Sequence, residues 1–116
     1  MIQNKNWIAI GLTAVMSLWP FASACAGAST GIGMISQYYV HAEWTMVRVD
    51  SLTDNPDGCY STEYYAIEPS QPNYSALNAA LLSAQMAGKR VKFWVDGCGG
   101  QGAKYPFIRS VFTYTD

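Results

Sequence analysis

The chain has 116 residues, half of them hydrophobic, with seven lysines and arginines against eight aspartates and glutamates. That length fits one small domain at most. The near-neutral charge, with no basic stripe, argues against nucleic acid as the partner.

Residues 1–26 read as a secretory signal peptide that is removed. One cation, Lys5, precedes an apolar run from Trp7 to Phe21, and small residues follow. The run is too short and wrongly flanked for a stable transmembrane anchor. Ala22-Ser23-Ala24 and Ala24-Cys25-Ala26 are both A-x-A cleavage sites. A cut after Ala26 leaves a single domain at 27–116 holding Cys59 and Cys98. An even pair in an exported chain predicts one disulfide. Closing a loop of about 40 residues stabilises a small domain by roughly 4 kcal/mol on chain-entropy grounds. The alternative is "ASAC" as a lipoprotein signal, with a lipidated Cys25 holding the protein to the envelope. With Lys5 removed, six cations face eight acids, a net charge of −2.

Five strands and one helix follow. "GMISQYYVHA", Gly33 to Ala42, is aromatic and β-branched and predicts the first strand. His41-Ala42-Glu43 can turn. "WTMVRVDSL" alternates, with Thr45, Val47 and Val49 on one face and Trp44, Met46 and Arg48 on the other. "TDNPDG" is a turn signal. "CYSTEYYAI" predicts the third strand, ended by Pro69 and Pro72.

"NYSALNAALLSAQMAGK" predicts the helix. Tyr74, Leu77, Leu81 and Ala84 form its apolar stripe. Asn73 or Ser75 can cap its start, and Gly88 suits the left-handed position after its end. Asn73-Tyr74-Ser75 is also a glycosylation sequon, but a helix start behind prolines needs a cap there. "VKFWV" and "YPFIRSVFTYT" predict strands four and five. The order is β-β-β-α-β-β. The expected fold is mainly β with one helix, a five-stranded OB-fold-like barrel with one disulfide. A small α+β sheet with the helix on one face is the rival.

Between the last two strands, Gly97-Cys98-Gly99-Gly100-Gln101-Gly102 fits G-x-G-x-x-G letter for letter. A dinucleotide cradle needs a helix N-terminus after the glycines. A strand opening on Pro106 follows instead, so the expected role is a turn stapled by Cys98. Gln101 and the loop amides can still reach a ligand at the rim.

The chain resembles the secreted B subunits of pentameric bacterial toxins of the subtilase cytotoxin and typhoid pertussis-like kind. "GMIS" (Gly33 to Ser36), "AGKRVKFWV" (Ala87 to Val95) and "KYPFIRSVF" (Lys104 to Phe112) carry the resemblance, which covers Gly33 to Tyr114. It is also similar to small uncharacterised exported OB-fold proteins of gammaproteobacteria. The resemblance implies an OB-fold, glycan binding (often of sialic acid), a sugar contact at Ser36 and a homo-oligomer, a pentamer if toxin-like.

Catalysis has little support. His41 is the single histidine, no G-x-S-x-G is present, and the carboxylates are scattered among turns and strand ends. Two isolated cysteines and one histidine make no metal site, and no cofactor is expected. The excess lies in the eight tyrosines. Adjacent tyrosines on a strand face opposite ways, so some point outward, where a ring and a hydroxyl suit sugars and proteins alike. The expected function is an exported, periplasmic or secreted, non-enzymatic binding module for a glycan or a protein. Ser36, Tyr38, Tyr64 and Gln101 are its candidate ligand-binding residues. An envelope structural or inhibitor protein is the alternative.

Overall fold

The computed structural model describes residues 27–115, so the expected signal peptide and Cys25 lie outside the described residues. In chain order the elements are β1 (Ala28–Ser29), β2 (Gly33–Met34), β3 (Gln37–Val40), β4 (Thr45–Arg48) and β5 (Tyr65–Ile67). Helix α1 (Tyr74–Ala87), β6 (Arg90–Gly99) and β7 (Tyr105–Tyr114) follow. A 3-10 turn, Gln101–Ala103, links β6 to β7.

The strands form one mixed seven-stranded sheet in the order β1-β6-β7-β5-β4-β3, with β2 also on β6. Pairing is antiparallel except between β5 and β7, which run parallel because α1 and β6 make the crossover between them. The fold is thus mainly β with one helix and one disulfide, as expected. The closed five-stranded barrel is not what forms, and the strand order differs. The expected first strand breaks at Ile35 and Ser36. Ile35 turns into the core, and the Ser36 amide donates to Arg48 O at 2.8 Å. The break lets β2 pair with β6 while β3 pairs with β4, at opposite ends of the strand order. The expected third strand shrinks to β5 because Cys59 is held elsewhere, by Asn55 and the disulfide. β1 was not expected.

Helix α1 covers one face. Its predicted stripe is the one buried: Leu77, Leu81 and Ala84 meet Val47, Tyr65, Ile67, Phe93 and Ile108, with Tyr74 packed at the side. Gly88 ends the helix at φ 67°, ψ 34°. Lys89 N–H then reaches back to Ala84 O at 2.9 Å, the closure that a left-handed residue allows.

The helix start differs from expectation. Asn73 occupies the cap position but makes no side-chain cap bond. Buried Gln71 fixes the entry instead. Its Oε1 accepts from Glu68 N–H at 2.7 Å, and its Nε2 donates to Ile108 O at 2.8 Å. One side chain therefore ties the pre-helix turn to β7.

Tyr65 is fully buried, and its hydroxyl donates to Asp54 O at 2.9 Å. Burial, with the Asp54 charge nearby, pushes its pKa up to about 12. An unfolded tyrosine titrates near ~10. The folded state thus holds the phenolic proton more tightly, and this contribution is complete below pH ~10 and lost as pH rises towards about 12. Urea unfolding across that window should show a fall on the order of 2–3 kcal/mol. Tyr65→Phe should flatten most of it. An equal fall in both proteins would disprove the assignment to Tyr65.

Candidate functional site

The face of the sheet away from α1 holds the candidate site, and the glycine loop shapes it. Cys98 on β6 is bonded to Cys59 with Cα atoms 5.7 Å apart. Asn55 grips Cys59 from both sides, accepting from its N–H and donating to its carbonyl, each at 2.7 Å. Gly100, at φ 76° and ψ −156°, then lays the loop flat on the sheet. A Cβ there would sit 2.8 Å from Met46 Sδ and 2.9 Å from the Ala66 methyl. Met46 and Ala66 are consequently buried although they face away from the helix.

Two of the loop's amides are held by carboxylates of the chain itself: Gly97 N–H donates to Asp57 Oδ2 at 2.6 Å and Gly100 N–H to Glu68 Oε2 at 2.8 Å. No α-helix N-terminus follows the glycines, as a phosphate cradle would need. The G-x-G-x-x-G match is a stapled turn.

Beside the loop, three tyrosines meet edge to face. Tyr64 stands against Tyr39, ring centres 5.6 Å apart, and against Tyr105 at 5.7 Å. Register explains the meeting. Tyr39 lies opposite Met46 and Gln37 opposite Arg48, so β3 presents these two residues on the Arg48 face. The Arg48 guanidinium lies 5.9 Å from the Tyr64 ring centre. It pairs with Asp50 at 3.3 Å and reaches Glu63 at 3.9 Å. Tyr64 hydroxyl donates to Gln37 Oε1 at 3.3 Å. Burial, then Glu63, Tyr39 and Tyr64, raise the pKa of Tyr105, so its hydroxyl stays a donor well above neutral pH.

Ser36 stands at the border of this cluster. Its hydroxyl is exposed and shares its proton between Arg48 O at 3.2 Å and Asp50 Oδ1 at 3.1 Å. Its lone pairs stay open to an incoming donor. Arg48, Asp50, Leu52, Thr53, Thr62 and Glu63 line an adjoining depression of ≈ 210 Å³.

The structure brings Ser36 and Tyr64 together through Asp50 and Arg48. Tyr38 goes to the other face. It lies opposite Val47, packs on the core and hydrogen-bonds the Asn78 side chain of α1. Gln101 is exposed on the loop and makes no hydrogen bond, ion pair or ring contact with the cluster. Tyr39, Tyr105, Arg48 and Gln37 are the members that sequence reading missed. Alternation had already placed Arg48 on the face opposite Thr45, Val47 and Val49. Extending it across the His41–Trp44 turn would have added Gln37 and Tyr39, but only with the hairpin register known.

His41 stacks on Trp44 at that turn, ring centres 4.3 Å apart, and lies outside the cluster. The nearby carboxylates serve the fold: Asp50 and Glu63 hold Arg48, Glu68 and Asp57 hold the loop, and Asp54 accepts from Gly31 N–H at 3.0 Å. Comparison of the chain with protein-family models, curated proteins and solved structures gave no match.

Proposed function

We propose that this protein is an exported, non-enzymatic binding module whose tyrosine cluster takes up a glycan, in the manner of the toxin B subunits it resembles. The observation that carries the reading is the meeting of Tyr39, Tyr64 and Tyr105 beside Arg48 and Ser36 on an exposed sheet face. Aromatic rings supply apolar surface for a sugar's C–H face, and the surrounding hydroxyls, guanidinium and carboxylates supply directional partners. Arg48, half-exposed and already paired, favours a ligand that can compete for it, such as an acidic sugar. Several carboxylates are engaged in structural bonds, which supports a binding role over a catalytic one. The disulfide supports export to an oxidising compartment.

A glycan array probed with the exported protein tests this. Ser36→Ala and Tyr64→Ala should each weaken any positive signal about tenfold, the loss of roughly one good contact. Lys104→Ala, outside the cluster, should leave it unchanged. Absence of any array signal, together with specific capture of a protein partner, would move the reading to an interaction or inhibitor protein.

A further inference from the structure

The other half of the same sheet face, on β6 and β7, has a different chemistry. Lys89, Arg90 and Lys92 bring three of the six cations of residues 27–116 together in sequence, and strand pairing adds Arg109 to them in space. Arg90 lies opposite Tyr114, Lys92 opposite Phe112 and Trp94 opposite Ser110. Arg109 falls at the irregularity between Ile108 and Ser110, and its guanidinium lies 4.7 Å from the Phe107 ring centre. The Lys92 ammonium lies 4.9 Å from the ring centre of Phe112. Lys92 and Arg109 form no ion pair among the described residues. Large apolar side chains are exposed between these cations: Trp94 at 39 %, Phe112 at 45 % and, on the adjoining β2, Met34 at 52 %.

We infer that this β6–β7 face is a docking surface for an anionic phospholipid bilayer. Exposed Trp and Phe mixed with Lys and Arg is the composition that settles at a membrane–water interface. There the rings sit at headgroup depth and the cations meet lipid phosphates. The overall charge of residues 27–116 is negative, but over a Debye length of roughly 8–10 Å the local strip decides the attraction. Two other occupants fit less well. A stacked nucleic-acid base needs an open ring face, and at Phe112 and Phe107 a cation already lies over the ring. A second copy docking the same face by two-fold symmetry would set one cationic strip against an identical one.

The test is co-sedimentation of the protein purified from the exported fraction with vesicles of phosphatidylglycerol and phosphatidylcholine, beside vesicles of phosphatidylcholine alone. Binding should require the anionic lipid and weaken with added salt. Lys92→Gln with Arg109→Gln should lower partitioning about 25-fold, roughly fivefold per cation. Trp94 fluorescence should shift to the blue on binding, and the shift should vanish in Trp94→Phe. The variants change the half-buried Lys92 and the exposed Arg109 and Trp94, and their thermal unfolding shows whether they remain folded. Equal partitioning of folded variant and parent would overturn the proposal. So would retention on heparin or oligo-dT with no vesicle binding, which would assign the strip to a polyanion.

Discussion

Cys59→Ser with Cys98→Ser should lower the unfolding free energy by about 2–5 kcal/mol, near the 4 kcal/mol that closing so long a loop implies. The two cysteines are 39 residues apart in sequence, so the bridge removes a large share of the unfolded chain's freedom. It also joins segments with few other ties. Cys59 lies in the irregular stretch before β5, while Cys98 lies near the end of β6. Without the bridge, the ties between them include the bond from Gly97 N–H to Asp57 and the bond from Ser61 N–H to Lys104 O, with Asn55 clamping residue 59 locally. Strands and helix should persist in the double variant, because the core of Tyr65, Phe93, Leu81 and Ile108 does not include the bridge. Urea unfolding with circular dichroism measures both expectations. Two free thiols titrated in the folded parent protein would contradict them.

Gly100→Ala should have an effect of similar size, about 2–5 kcal/mol, for a different reason. A φ of 76° with ψ −156° lies in a region that is essentially glycine's own, and forcing another residue there costs about 1–3 kcal/mol. The added methyl would also press on Met46 Sδ and the Ala66 methyl, neither of which is exposed. Overpacking of that kind adds about 1–3 kcal/mol. The loop should lift from the sheet, breaking the bond from Gly100 N–H to Glu68. Gly102→Ala is the control. Its φ is also positive, but the nearest atoms to a Cβ there belong to the flexible Lys104 side chain. It should cost only the backbone strain, about 1–2 kcal/mol. If Gly100→Ala proved no worse than Gly102→Ala, the loop would not be seated on Met46 and Ala66 as described.

Several features were legible in the residues themselves. The helix stripe of Leu77, Leu81 and Ala84, the stop at Gly88, the long last strand and the alternation of Thr45, Val47 and Val49 all follow from patterns inside one segment, whereas β6 runs past the expected Val91–Val95 to Gly99. The disulfide followed from counting cysteines with residues 1–26 set aside as an expected leader. The break at Ile35 and Ser36, the addition of β1, the exchange of Asn73 for Gln71 at the helix start and the burial of Met46 did not. Each depends on which distant segment arrives as a neighbour: Arg48 for Ser36, Ile108 for Gln71, Gly100 for Met46. The tyrosine cluster and the cationic strip are of this second kind. Periodicity says which side of its own strand a residue takes. Register between strands, set by the crossover through α1 and the stapled glycine loop, decides which residues from other strands stand beside it.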